Sequence, residues 1–194
     1  MEALLQMDGG ALLWIQEFIR QAWLDPIVSF YTKLGDAGIM WIVLCVALLI
    51  FPRTRRAGLA GAMALILSLI CTNLILKNIF TRTRPWLVVE GLTALVAEHD
   101  PNSFPSGHTS ASFAAATALW PTLGKKWARV TVMVLAALMA LSRLYVGVHY
   151  PSDVLAGAAV GVFCGWAGCR LLHFLEERKG TDRANANFSR RPPH

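Results

Sequence analysis

Charge is scarce in this sequence. Only 15% of its 194 residues are Asp, Glu, Lys or Arg, while 55% are hydrophobic; soluble domains carry about 25% charged residues. The apolar residues are gathered into runs too long for a soluble core of this size, so the reading is a single integral membrane domain. Cysteine is also sparse. Cys45, Cys71, Cys164 and Cys169 sit inside apolar runs with no CxxC pair or metal-ligand spacing. They read as small hydrophobes, not as a disulfide framework or metal site. There is no internal repeat. With Glu2 and Asp8 where a basic leader would stand, no cleavable signal peptide is expected. The net charge of +6 does not point to nucleic acid, because the basic residues lie in short loops between apolar runs, the pattern of membrane topology.

What the sequence does contain is a series of apolar segments. Residues 11–32 are interrupted by Gln16, Glu17, Arg20, Gln21 and Asp25, yet Leu12, Ile15, Ile19, Ala22 and Trp23 recur at helical spacing. That predicts an amphipathic helix lying in the membrane interface, or packed across the mouth of the bundle, with a second short helix starting at Asp25–Pro26. Spans follow at 37–51, 57–76, 107–123, 128–146 and 153–175; the first of these is short against the roughly 20 residues a crossing needs. In the last, Gly157, Gly161 and Gly165 recur every fourth residue, a ridge suited to close helix packing. The expected architecture is an all-α membrane bundle of about five spans. An interfacial segment over 1–34 precedes a membrane domain over 35–177, and a basic, disordered, cytoplasmic tail fills 178–194.

Basic residues orient the bundle. Arg53, Arg55 and Arg56, then Lys125, Lys126 and Arg129, then the tail fall on one side of alternating spans, which makes that side cytoplasmic. The loops 77–106 and 143–152 then share the outer face of a plasma-type membrane.

Those two loops hold three stretches with chemical content. Lys77 and Arg84 stand two helical turns apart before Pro85, so one helix face would present both cations. The neighbouring Arg82 reads as a side chain reaching lipid head groups. Ser106 and Gly107 open a helix beside His108, where free amides and the helix dipole favour an anion. In Ser142–Asp153, Arg143 offers a planar fork for phosphate oxygens. His149 and Asp153 are one helical turn apart, so the carboxylate can fix the imidazole tautomer. Glu98, His99 and Asp100 are consecutive and read as a solvated loop tip, with His99 a surface residue; no Mg²⁺ or Zn²⁺ site is evident and no cofactor is expected. The set suits metal-free phosphoryl transfer: cations and amides hold the phosphate, a histidine attacks, an acid protonates the departing oxygen.

In order, the stretches resemble the signature of the type 2 phosphatidic acid phosphatase superfamily: KxxxxxxRP, PSGH and SRxxxGxHxxxD. They match at Lys77 to Arg84-Pro85, at Pro105-Ser106-Gly107-His108, and at Ser142-Arg143 with Gly147, His149 and Asp153. The resemblance implies that His149 is the nucleophile forming a phosphohistidine, oriented by Asp153. It implies His108 as general acid, with Lys77, Arg84, Ser106, Gly107 and Arg143 holding the phosphate. Many relatives have six spans, so six is the alternative to five here. The expected substrate is a membrane lipid phosphate, with undecaprenyl pyrophosphate first and phosphatidic acid or phosphatidylglycerophosphate next. The loop from Trp86 to Ser103 would lie beside the site and help choose the lipid. Two readings from other classes are a vanadium haloperoxidase-like oxidoreductase, against which the spans argue, and a non-catalytic lipid-binding protein.

Overall fold

The computed structural model describes residues 2–98 and 100–189. Helix α1 (Glu2–Trp14) runs into a wider π-type turn over Ile15–Ile19 and stops where the backbone of Arg20 becomes extended. Helix α2 (Asp25–Lys33) carries Pro26 in its first turn, as the sequence predicts. A tight turn follows, in which Ala37 and Gly38 both take positive φ (51° and 72°), and it redirects the chain into α3 (Ile39–Ile50). Then come α4 (Arg55–Ile79), α5 (Gly107–Leu119), α6 (Lys126–Tyr145) and α7 (Pro151–Ser189).

The all-α membrane bundle is what the sequence leads one to expect, but the spans divide differently. Among the described residues, helices α4, α6 and the Pro151–Arg178 part of α7 are long and apolar enough to cross a membrane; α2 and Asp36–Ile50, bent by 52° at the break between them, pass the same test only when taken together, as a broken span or a re-entrant pair. The stretch 107–123 is not a crossing by itself. Helix α5 has 13 residues, about 20 Å at 1.5 Å per residue, against about 30 Å of hydrocarbon. It lies at the centre, with Ala114, Ala115, Ala116, Ala118 and Leu119 fully buried among its neighbours. Helix α7 continues to Ser189, where disorder was expected from residue 178, and no proline interrupts the sequence between Pro151 and Pro192. His99 and residues 190–194 lie outside the described residues.

The glycine ridge of α7 seats against α5. A Cβ at Gly157 would stand 2.6 Å from the Ser106 carbonyl, one at Gly165 2.6 Å from Thr117 Cβ, and one at Gly161 would overlap the Ser110 carbonyl. Several polar groups between helices are paired: Ser110 Oγ lies 2.7 Å from both Ser68 Oγ and Thr72 Oγ1, and Trp41 Nε1 donates to Ser112 Oγ at 2.8 Å. Val43, Leu59, Val134 and Phe163 are exposed on the outside of the bundle, as lipid contact requires.

At the N-terminus the polar side chains turn inward. Gln16 and Arg20 hold Thr93, whose amide donates to Gln16 Oε1 at 2.8 Å and whose carbonyl accepts from Arg20 Nη1 at 2.8 Å, while Trp14, Phe18 and Trp23 are exposed. The segment packs across the mouth of the bundle through its polar side chains and leaves an apolar face outward. Helix directions place the loops 80–106 and 146–150 at that end; Arg56 pairs with Glu176 at 2.9 Å at the other.

Candidate active site

Pro85 decides how the first cations arrive. A residue before proline avoids helical backbone, and Arg84 is extended (ψ 145°). Helix α4 has already ended at Ile79, with Phe80 leaving it at ψ 91°. Lys77 and Arg84 do reach the same cavity, but one from the end of a helix and the other from an extended segment. That segment makes a single antiparallel bridge, Thr83 to Asn102, beside which Ser103 N donates to Arg82 O at 2.7 Å.

Helix α7 begins with Pro151, and Asp153 in its first turn accepts from the Tyr150 amide at 2.9 Å, the return half of a capping box. That leaves Oδ2 facing His149 Nδ1 at 3.5 Å, and Nδ1 makes no hydrogen bond. Across the ring, Nε2 is 3.1 Å from Arg84 Nη1. A guanidinium only donates, so Nε2 is the acceptor and the ring proton sits on Nδ1, toward Asp153. A nucleophilic imidazole needs that tautomer. Burial, then the charges of Arg143, Arg84, His108 and Lys77, push His149 well below its ordinary range, so the ring stays neutral and its Nε2 lone pair is engaged by Arg84 alone.

Ser106 is the N-cap of α5, accepting from Thr109 Oγ1 at 3.0 Å, and its amide donates to the Asp153 carbonyl at 3.1 Å. Ser106 therefore joins the starts of α5 and α7, and its amide is already bonded. Gly107 and His108 line the cavity. His108 Nε2 lies 2.8 Å from Asp36 Oδ1. Burial lowers the His108 pKa, and the bond and charge of Asp36 oppose that.

The cations are met by two carboxylates. Glu98 bridges Arg84, at 3.4 Å, and Arg143; Asp100 pairs with Lys77. Arg143 is fully buried and also donates to Thr32 Oγ1 at 2.6 Å. Burial pushes the Asp100 carboxyl up, but the Lys77 hydrogen bond, the Asn102 amide and the charges of Lys77 and Arg84 hold it below its ordinary value. The expectation of a solvated tip at 98–100 is thus corrected: both acidic side chains point into the site.

The cavity, about 620 Å³, is lined at its polar end by Lys77, Arg84, Gly107, His108 and His149. From there it continues between α3 and α4 along Ile42, Val46, Leu49, Leu65, Ile66 and Leu69. An end lined by charged side chains, Glu98 and Asp100 among them, thus opens on an apolar trough. Among the described residues, no three His, Cys, Asp or Glu side chains converge as a metal ligand set would.

Residues 57–176 match the family described as the PAP2 superfamily, a stretch that contains His108, His149, Asp153, Lys77, Arg84 and Arg143. The chain belongs to the PAP2 superfamily. It is 32% identical over 140 residues to an undecaprenyl-diphosphatase of Sulfolobus acidocaldarius, covering 72% of this chain and 66% of that protein's length. Its fold is similar to that of Aquifex aeolicus LpxE, with 28% identity and a TM-score of 0.75 over 84% of this chain and 95% of LpxE. It is also similar to a transmembrane PAP2 type phosphatidylglycerolphosphate phosphatase from Bacillus subtilis, with 25% identity and a TM-score of 0.72 over 92% of this chain and 88% of the other.

In this PAP2 lipid phosphatase the sequence motifs miss part of the site. Arg82, read as a lipid-facing side chain, instead donates from Nη1 to Asp153 Oδ1 at 2.7 Å, from Nη2 to Asp8 Oδ2 at 2.8 Å, and stacks 3.9 Å over Tyr150. The signal was present in part: in an extended strand Arg82 and Arg84 share a face. Asp8, Asp36 and Glu98 meet their cations from distant positions, and no local pattern announces them.

Proposed function

We propose that this enzyme hydrolyses the phosphate of a single-headed, long-chain lipid at the outer face of the membrane, through a phosphohistidine on His149, with undecaprenyl pyrophosphate as the first candidate. The observation that carries the reading is the continuity of the charged end of the cavity, where Lys77, Arg84 and His149 meet, with the apolar trough between α3 and α4. Lys77, Arg84 and the start of α5 hold the phosphate oxygens. His149 Nε2 attacks phosphorus in line while the bond to the leaving oxygen breaks, and that oxygen takes its electron pair and a proton from His108. Water then attacks phosphorus, giving its proton to His108 as the nitrogen–phosphorus bond breaks. Arg143 acts from behind, through Glu98 and beside Arg84, and the first carboxylate that the phosphate displaces is Glu98. The basic residues Arg53, Arg55, Arg56, Lys125, Lys126 and Arg129 lie at the opposite end, which supports an extracytoplasmic site.

The archaeal relative's name supports an isoprenoid pyrophosphate, and that of the Bacillus structure supports phosphatidylglycerophosphate. The test is phosphate release by detergent-purified protein, in EDTA, against undecaprenyl pyrophosphate, phosphatidylglycerophosphate, phosphatidic acid and sphingosine phosphate. Turnover of the first far above the rest is the expected result. A clear preference for a glycerolipid would transfer the assignment, and inhibition by EDTA reversed by Mg²⁺ would end the metal-free mechanism.

Glu98 competes with the substrate for Arg84 and Arg143. Glu98→Gln removes a charge from that contest, so inhibition by inorganic phosphate should tighten by about tenfold, with a lower KM. Weaker phosphate inhibition would mean that Glu98 assists binding.

A further inference from the structure

Helix α1 lies outside the PAP2-matched stretch, residues 57–176, yet its Asp8 carboxylate reaches the arginine that holds Asp153. Asp8 is 5% exposed. The Ser152 amide donates to its Oδ1 at 3.3 Å, and Arg82 Nη2 to its Oδ2 at 2.8 Å, where the Ser152 hydroxyl also bonds. Arg82 Nη1 donates in turn to Ser152 Oγ at 2.6 Å and to Asp153 Oδ1 at 2.7 Å. The resulting order is Asp8, Arg82, Asp153, His149, with the last gap 3.5 Å. We infer that Asp8 is a positioning residue for the PAP2 reaction: by sharing Arg82 it keeps Asp153 from being neutralised, so that a net negative charge stands behind His149.

The charge balance gives the reason. Two carboxylates on one guanidinium leave the trio one unit negative; without Asp8 it is neutral. The groups facing His149 are Arg84, Arg143, Lys77 and His108 on the cationic side and Asp153 on the other. When Nε2 bonds to phosphorus the ring becomes cationic in the middle of those cations. Glu98 and Asp100 already pair with those cations, and the uncompensated charge reaching the ring through Asp153 adds to the balance in favour of that state. The geometry also ties the α1 helix to α7, since Asp8 holds Ser152 next to Asp153.

The inference rests on the phosphohistidine reading, and the experiment separates the two. Full-length Asp8→Asn, Asp8→Glu and His149→Gln are compared with the unaltered protein in detergent, measuring kcat, KM, the pH dependence of kcat and thermal unfolding. Asp8→Asn should lower kcat by about tenfold, in the range for groups behind a reacting ligand, with KM within about twofold. Its acid limb should move to lower pH, because losing a negative charge makes the imidazole harder to protonate. Asp8→Glu should recover most of kcat. A limb that stays in place, or a kcat that falls only in proportion to the folded fraction, would overturn the inference. So would an Asp8→Asn enzyme as active as the unaltered one while His149→Gln is inactive, a result that leaves the nucleophile intact. Turnover retained in His149→Gln would remove both.

Discussion

Replacing His149 by glutamine is expected to lower turnover by about 10⁴-fold or more, the scale seen when a covalent nucleophile is removed, while phosphate still binds. Glutamine is of similar size and offers a carbonyl oxygen that can accept from Arg84 Nη1, as Nε2 does at 3.1 Å. The buried guanidinium therefore keeps a partner, and neither Lys77 nor the start of α5 loses a contact. What disappears is a lone pair capable of forming and then releasing a bond to phosphorus. Substrate affinity, read as ligand-dependent protection against thermal unfolding, should stay within a few-fold of the unaltered protein, because the cations that supply it are untouched. Protein incubated with labelled substrate and quenched in base should carry phosphate only when His149 is present, and that phosphate should be lost on transfer to acid. Activity within tenfold of the unaltered protein would move the nucleophile elsewhere, with His108 and water the remaining attackers.

The residues closest to this chemistry were legible because their pattern is local. His149 and Asp153, Ser106 to His108, and Lys77 with Arg84 are recognisable at fixed spacings, and all line the cavity or touch a residue that does. Ser106 does not itself line the cavity: its position at a helix start was readable, but the use of its amide by the Asp153 carbonyl depends on how α5 and α7 meet. The charges facing the site were not legible. Glu98, Asp100, Asp36 and Asp8 are ordinary acidic residues by sequence, and only the folded chain brings them to Arg143, Lys77, His108 and Arg82. Arg82 was misread because its side depends on where α4 stops. Hydropathy also cannot tell a small apolar residue facing lipid from one facing a neighbouring helix. The alanines of α5 therefore resembled part of a crossing while forming the centre of the bundle.

That centre makes Gly161→Leu the other large effect: little folded protein should survive purification. Its side chain would enter the Ser110 carbonyl, with Phe113 Cβ 2.8 Å and Ala114 N 3.0 Å from the first added carbon. Two of those three atoms are backbone of α5, held by that helix's own hydrogen bonds, so no rotamer change makes room. Helix α7 would have to move away over its whole contact. In lipid no hydrophobic force draws the helices back, because the tails are as apolar as the side chains and close packing supplies the attraction. The displacement would also pull the Asp153 carbonyl from the Ser106 amide, now at 3.1 Å, so any protein that did fold should lose turnover as well. Gly10→Ala is the matched control. It lies within α1 with nothing inside 4 Å of an added Cβ, and alanine gains about 1 kcal/mol over glycine in a helix interior. Its unfolding temperature should hold or rise. A Gly161→Leu protein that stayed monodisperse, with an unfolding temperature near that of the Gly10→Ala protein, would show that α5 and α7 are not held by this contact, and the glycine ridge would lose its role in placing Asp153.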